Sequence, residues 1–260
     1  MNTPDDNGQT KLMRAAIEHS TYKLGVLLEQ QADPNVIDNK GQTALMLAIQ
    51  EKFSEGVMAL LNHDISMNIQ DNNGYTALLH AVNMRFMDVI PELLNHGALP
   101  NIGNDFELTP LMLATKMGNL ELVLMLLKHG VMVDIKDENG ITAFMYAVRL
   151  RHREIALALL DHGTDAYIKD KKGNTAMTIA AKKGHHDMLK SLLDHSLTTK
   201  GWGEDALLKS IPNNQVNVVS TLLDLDVNPS GYADMFLPST AIMPLEAAIE
   251  AGNMKIASLL

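Results

Sequence analysis

The residues of this sequence that are best suited to chemistry are its histidines, five of which recur at a fixed interval of 33 residues. They are His63, His96, His129, His162 and His195. Structural elements that repeat at such an interval pack roughly 8–10 Å apart, whereas a zinc ion holds its ligands at roughly 2 Å. A single metal ion therefore cannot bridge two of these histidines. Each of them ends an apolar helical segment, where a cationic side chain complements the helix dipole, so we interpret the histidines as structural.

Other signatures of catalysis are absent from the sequence. The chain contains no cysteine, which excludes disulfides, thiolate nucleophiles and cysteine metal sites. It has no GxxxxGK[ST], GxGxxG, GxSxG or HExxH motif. His185, His186 and Asp187 lack the i,i+4 spacing of a metal-binding pair. We therefore predict a protein that is not an enzyme and that uses no cofactor or metal.

The same interval of 33 residues relates the positions that would build helices and turns. The threonines are Thr10, Thr43, Thr76, Thr109, Thr142 and Thr175. The alanines are Ala15, Ala48, Ala81, Ala114, Ala147 and Ala180. Leucine pairs begin at Leu27, Leu60, Leu93, Leu126, Leu159 and Leu192. The glycines are Gly8, Gly41, Gly74, Gly140 and Gly173. A period of this length indicates a solenoid, in which each repeat buries its core against the next.

The residue types predict a helix-turn-helix unit that begins with a tight polar tip. A tip glycine supplies the positive φ that the turn requires, and the threonine caps the first helix. Glycines such as Gly97 end the second helix in a left-handed conformation. One tip has Glu107 in place of the glycine, so we expect that tip to be remodelled or strained.

These features resemble the ankyrin repeat. The segments that carry the resemblance are DNKGQTALMLAI, DNNGYTALLHAV, TPLMLATKMGNLELVLMLLKHG, DENGITAFMYAV and DKKGNTAMTIAAKKGHHDMLKSLL. The resemblance implies an all-α solenoid of helix-turn-helix units with short β-turn or hairpin tips. Six regular repeats form a domain of residues 1–199, at about 5–37, 38–70, 71–103, 104–136, 137–169 and 170–199.

Residues 200–260 depart from the regular pattern. We expect two degenerate units there, with an insertion at residues 231–240 and a truncated last unit. Leu260 falls inside the second helix of that unit. Because a solenoid seldom ends on an uncovered apolar helix, we expect the natural protein to continue beyond Leu260.

The charge of the chain is acidic overall but unevenly distributed. The net charge is −10, which argues against nucleic-acid binding. Residues 1–103 carry 6 Lys/Arg against 12 Asp/Glu, residues 104–199 carry 12 against 12, and residues 200–260 carry 3 against 7. No apolar run has the length of a membrane span. We expect a cytoplasmic protein, located in the host cytosol if it is a secreted effector.

The resemblance places a partner on the concave surface, which the tips and the exposed ends of the first helices form. At these positions repeats three to five are apolar where the others are polar. The predicted anchor consists of Tyr75, Met84, Phe106, Leu108, Met117, Ile141 and Leu150. Contiguous exposed apolar residues mark binding sites. The alternative is that some of these side chains pack onto neighbouring tips and are half buried.

A column of basic residues adjoins the anchor. We call this set the basic ridge, and it consists of Lys116, Arg149, Lys171, Lys172, Lys182 and Lys183. Such a ridge would steer an acidic segment of the partner towards the anchor. The alternative is an ordinary solvated surface, on which lysines contribute little.

We predict a non-catalytic scaffold that binds one protein partner on the concave face of repeats three to five. A second hypothesis is the targeting arm of a larger, secreted effector whose catalytic domain lies beyond Leu260. A third is self-association through the uncapped C-terminal helices. The resemblance also implies that Asn35, Asn68 and Asn101 could be hydroxylated, but the residues before them are not the valine that the family pattern prefers.

Overall fold

The computed structural model of the chain describes residues 3–195, 202–224, 227–228 and 244–260. Across these ranges the secondary structure is helical, and none of the described residues forms a strand. No helix in these ranges is both long and apolar enough to cross a membrane. The chain divides into two compact units, Met1–Glu138 (unit 1) and Asn139–Leu260 (unit 2). The boundary predicted at residues 199–200 and the insertion predicted at 231–240 lie outside the described residues.

Unit 1 consists of four successive helix pairs. Its helices are α1 (Lys11–Ile17), α2 (Thr21–Glu29), α3 (Ala44–Gln50), α4 (Ser54–Leu61), α5 (Ala77–Asn83), α6 (Ile90–Asn95), α7 (Pro110–Lys116) and α8 (Leu120–Lys128). A 3₁₀ turn at Met87–Val89 precedes α6. The first helices pack in series, α1 on α3, α3 on α5 and α5 on α7, and α2 packs on α4. The predicted helix-turn-helix solenoid is confirmed by this arrangement.

Unit 2 also consists of helix pairs. Its helices are α9 (Ala143–Leu150), α10 (Arg153–Asp161), α11 (Ala176–Lys183), α12 (His186–His195), α13 (Trp202–Ser210), α14 (Val216–Asp224), α15 (Pro244–Glu250) and α16 (Met254–Ala257). The first helices α9, α11 and α13 pack in series, as do the second helices α10, α12 and α14. In addition, α15 packs on α13 and α16 packs on α14. The weakly patterned region beyond residue 200 thus continues the same packing where it is described.

The repeated apolar positions form the core of both units. The alanines Ala48, Ala81, Ala114, Ala147 and Ala180 have no exposed surface, and neither do the leucines Leu60, Leu93, Leu126, Leu159 and Leu192. Alanine allows close approach between neighbouring first helices, and leucine fills the space beside it at the density of a protein interior. Burying one leucine stabilises the fold by about 1.5–3 kcal/mol, so the repeated leucines are a main source of stability.

The predicted caps are present at both ends of the helices. Each threonine of the column accepts a hydrogen bond at 3.2–3.3 Å from the backbone N–H three residues later. A cap of this kind contributes about 1 kcal/mol. Gly97, Gly130 and Gly163, with φ of 90°, 69° and 79°, follow the second helices as predicted.

The histidines at the ends of the second helices bond to backbone carbonyls. The Nδ1 atoms of His96, His129 and His162 donate to the carbonyl oxygen four residues earlier at 2.8–2.9 Å. These bonds engage carbonyl groups in the last turn of each helix. In the part of the chain that the structure describes, no group of three or more His, Asp or Glu residues could hold a metal ion. The hydrogen bonds of these three histidines are of the kind that the structural interpretation predicts.

Candidate functional site

The tips of repeats two, three and four are tight turns, and each is held together by a buried polar side chain. In repeat three, Oδ1 of Asp71 accepts hydrogen bonds from the N–H groups of Asn73 and Tyr75, both at 2.9 Å. The N–H of Gly74 donates to the carbonyl of Asp71 at 2.9 Å, with φ of +75° at the glycine. The turn therefore fixes the backbone of Tyr75, which belongs to the predicted anchor.

The tip of repeat four keeps this geometry without a glycine. Oδ1 of Asn104 accepts from the N–H groups of Phe106 at 3.1 Å and Leu108 at 3.0 Å. Glu107 occupies the glycine position with φ of +58°. A left-handed residue that carries a Cβ costs about 1–2 kcal/mol. The sequence left two outcomes open for this tip, strain or remodelling. The structure shows a strained tip that keeps the usual geometry.

Consecutive tips of unit 1 are joined by single backbone hydrogen bonds. The N–H of Asn72 donates to the carbonyl of Lys40 at 2.9 Å, and that of Asp105 to the carbonyl of Asn73 at 3.2 Å. The N–H of Glu138 donates to the carbonyl of Phe106 at 3.3 Å. The tips thus form a connected row, so the side chains on neighbouring tips are held in register.

The predicted anchor residues differ widely in exposure. In unit 1, Phe106 is 57% exposed. The half-buried members are Tyr75, Met84, Leu108 and Met117. In unit 2, Leu150 is 43% exposed, whereas Ile141 is only 8% exposed. The half-buried state weighed as an alternative therefore describes four of the seven residues. Ile141 is packed into its repeat and offers a partner little surface, so we leave it out of the candidate site.

A residue that the sequence analysis did not single out, His80, lies beside Tyr75. Its Nε2 is 2.8 Å from Oδ2 of Asp71, and its Nδ1 is 3.3 Å from the side-chain nitrogen of Gln50. The rings of Tyr75 and His80 are 5.2 Å apart. His80 therefore links the Asp71 tip, the Tyr75 ring and the preceding repeat. The sequence did contain a signal for His80, because the equivalent residues of repeats two, four, five and six (47, 113, 146 and 179) are Leu, Leu, Tyr and Ile, although that of repeat one is Arg14.

The members of the basic ridge are exposed in the unit to which each belongs. Lys116 is in unit 1, and the others, Arg149, Lys171, Lys172, Lys182 and Lys183, are in unit 2. The ammonium group of Lys182 donates to the side-chain oxygen of Asn174. The amide nitrogen of Asn174 lies 3.1 and 2.9 Å from the two carboxylate oxygens of Asp170. One end of the ridge is thus tied to the tip of repeat six.

The carboxylate of that tip titrates below its ordinary range. Burial by itself would raise the pKa of Asp170. Hydrogen bonds from the side chain and backbone of Asn174 and from the backbone of Lys172 outweigh this effect, and the net result is a pKa below the ordinary value. The charge of Lys182 acts in the same direction. Asp170 is therefore ionised at neutral pH, which helps to hold Lys182 near the tip.

His185 lies where α9 and α11 of unit 2 end. Its Nδ1 is 3.2 Å from the carbonyl oxygen of Val148. Burial lowers the pKa of His185, and the nearby charges of Arg151 and Lys183 lower it further, against a raising contribution from the Val148 carbonyl. The neutral form is favoured in the folded protein.

Acidification is expected to destabilise unit 2 through His185. Its folded pKa lies below the unfolded value of 6.5, so the unfolded chain takes up the proton first. The stabilisation is complete above pH 6.5 and is lost as the pH falls from there towards the folded pKa. Thermal melting across this window should show a steeper fall of Tm for the wild type than for His185→Gln. Parallel curves for the two proteins would contradict the prediction.

The chain is similar to known proteins in both sequence and structure. A family model described as ankyrin repeats in three copies matches residues 12–104, 86–170 and 162–231. No match was found among curated proteins. The structure is similar to the ankyrin repeat domain of Bcl-3, a member of the IkappaB protein family, with a TM-score of 0.69 and 25% identity over 74% of this chain and 85% of that one.

Two further solved structures are similar over most of their own length. One is the ankyrin repeat protein EF0377, with a TM-score of 0.66 and 28% identity over 71% of this chain and 97% of that one. The other is an ankyrin repeat domain from Acinetobacter baumannii AYE, with a TM-score of 0.67 and 27% identity over 71% of this chain and 96% of that one. All three likenesses support the same fold.

Proposed function

Because the chain belongs to the ankyrin repeat family, whose repeats are generally protein–protein interaction modules, we propose that it binds one protein partner through the tips of repeats three and four and the first-helix ends of repeats three to five. These are the positions at which the resemblance predicts a partner. The observation that carries the proposal is the exposure of Phe106, a large aromatic side chain that is 57% exposed on a tip. Exposed aromatic residues on a rigid support are typical of interaction hot spots.

The surroundings of Phe106 support the same conclusion. Its tip is bonded to the tips on both sides, so little conformational entropy is lost when a partner orders it. Half-buried Tyr75 and Leu108 lie on the tips of repeats three and four. Met84 and Met117 end the first helices of the same repeats, and methionine adapts to irregular partner surfaces. The proposed surface in unit 1 therefore combines a fixed aromatic anchor with adaptable neighbours.

Unit 2 contributes separate support. Leu150, at the C-terminal end of α9, is 43% exposed. Because of this exposure, we propose that Leu150 also contacts the partner. The members of the basic ridge in unit 2 are exposed as well. We propose that they attract an acidic segment of the partner, because charges at the rim of an interface mainly raise the association rate.

The combined substitution of Phe106 and Met117 by glutamate tests the proposed surface. The variant is expected to capture its partner at least about tenfold less efficiently, because a hot-spot residue contributes about 2 kcal/mol or more. The measurement is affinity capture from cells that contain the partner, quantified against the wild type, with circular dichroism to establish that the fold is retained.

The matched control replaces two other exposed apolar residues of unit 1. Leu99 and Met132 are 53% and 63% exposed on loops that follow second helices, and Leu99→Glu with Met132→Glu introduces the same charge. We expect this control to capture the partner as the wild type does. Equal capture by the tip variant and the wild type would refute the proposed surface, and equal losses in both variants would assign the effect to charge alone.

A further inference from the structure

Among the described residues of both units, the turn between the two helices of each pair contains a left-handed residue. In unit 1 the left-handed residues are His19, Lys52, Arg85 and Gly118, with φ from 52° to 66°. In unit 2 they are Arg151, Gly184, Asn214 and Gly252, with φ from 52° to 70°. Glycine adopts this conformation freely and asparagine readily, but other residues are strained in it. Of these eight described turns, four have a strained residue, and each of the four is histidine, lysine or arginine.

The strain is avoidable, because glycine occupies the same turn in three other repeats. Strained backbone conformations cluster at functional sites, so the side chain of a strained residue is a candidate for a functional role. Helix dipoles offer a competing explanation, since a cation beside the C-terminal end of a helix stabilises it. The two explanations differ in what they predict for a glycine substitution.

The side chains of Lys52 and Arg85 are exposed, and their charges are not neutralised within unit 1. Neither side chain has a hydrogen bond or an ion pair with any residue that the structure describes. Two of the neighbouring carboxylates lie close to other residues. Glu18 accepts from Lys23 at 2.6 Å, and Glu51 is 3.9 Å from Nε2 of His19.

Two other carboxylates lie close in sequence, Glu55 and Asp88 in the first turns that follow Lys52 and Arg85. Both are exposed, and neither is within ion-pair distance of Lys52 or Arg85. The surface is thus left with two strained cations that nothing in the described part of the chain pairs with. Such an arrangement is suited to binding an anion from outside.

We propose that Lys52 and Arg85 bind two carboxylates of an extended acidic segment. This inference rests on the proposed function, since the segment belongs to the protein partner, and it adds a second contact region in unit 1. The spacing defines the segment. Helices α3 and α5, which these residues follow, pack against each other, and packed helices lie roughly 8–10 Å apart. An extended chain rises about 3.3 Å per residue, so the two carboxylates are three residues apart.

A synthetic peptide of twelve residues with glutamate at every third position provides a direct test, with a lysine peptide of the same spacing as its counterpart. Fluorescence anisotropy is expected to show binding of the glutamate peptide that depends on Lys52 and Arg85, whereas any attraction of the lysine peptide to this acidic chain should not depend on them. Lys52→Gln with Arg85→Gln should weaken glutamate-peptide binding at least about fivefold. The combined change Lys52→Gly and Arg85→Gly should weaken it equally and raise Tm by about 2–4 °C per substitution, because the strain is relieved.

The control removes two other exposed cations of unit 1, through Lys128→Gln and Lys136→Gln, and should leave peptide binding within about twofold of wild type. Three results would overturn the proposal: unchanged glutamate-peptide binding in the glutamine variant, equal loss in the control, or a lower Tm in the glycine variant, which would assign the cations to the helix dipole. The assay does not involve Phe106 or Met117. Its failure and the failure of the tip surface are therefore distinguishable.

Discussion

Gly74→Ala is expected to lower the free energy of unfolding by about 2–5 kcal/mol, from the cost of a left-handed alanine together with overpacking. A Cβ atom at this position would lie 2.5 Å from the backbone nitrogen of Asp105 and 2.5 Å from its carboxylate. The N–H of Asp105 forms the hydrogen bond that joins the tips of repeats three and four. A methyl group would therefore disrupt the tip row at its most crowded point.

Gly97→Ala provides the matched control. Gly97 also has a positive φ, of 90°, but a Cβ atom there would meet nothing within 4 Å. Its alanine variant should show only the left-handed cost of about 1–2 kcal/mol. Urea unfolding of both variants, compared by their midpoints, measures the difference. Equal midpoints would mean that the contact between tips has no stabilising role.

Reversing four charges of the basic ridge in unit 2 is expected to slow association with the protein partner by at least about tenfold at low ionic strength. The change is Lys171→Glu, Lys172→Glu, Lys182→Glu and Lys183→Glu. All four side chains are exposed, so the effect should diminish as salt shortens the range of the interaction. Stopped-flow or surface-based kinetics at two ionic strengths measures it.

The control for this prediction changes the net charge by the same amount at other exposed lysines. It combines Lys128→Glu, Lys136→Glu, Lys190→Glu and Lys209→Glu. If the ridge steers the partner, the control should slow association much less than the ridge variant does. Equal slowing would leave only the overall charge of the protein as the cause, and the ridge would be an ordinary solvated surface.

The repeat itself could be predicted from the sequence because its physical requirements are local and recur. A threonine that caps a helix bonds to an N–H three residues later, so Thr109 and its equivalents could be identified without the structure. Fully buried residues such as Ala114 and Leu126 recur with the same period. The strained tip at Glu107 was one of two outcomes expected from the missing glycine, and the structure selected it.

The candidate site could be predicted only in part, because exposure depends on neighbouring repeats. Ile141 and Phe106 are both apolar tip residues, yet one is 8% exposed and the other 57%. The link from His80 to Asp71 joins residues nine positions apart through a turn and a helix. This link belongs to the candidate site only because the ring of Tyr75 lies beside that of His80.

By itself, the sequence determined the period, the caps, the buried columns and the family. These follow from backbone geometry and from burial, which each repeat requires in the same way. The tertiary structure alone decided which apolar tips are exposed, which carboxylates are already paired, and that Lys52 and Arg85 are strained and unpaired among the described residues. These properties depend on side-chain distances and on the backbone dihedral angles of individual turns, and a periodic pattern specifies neither.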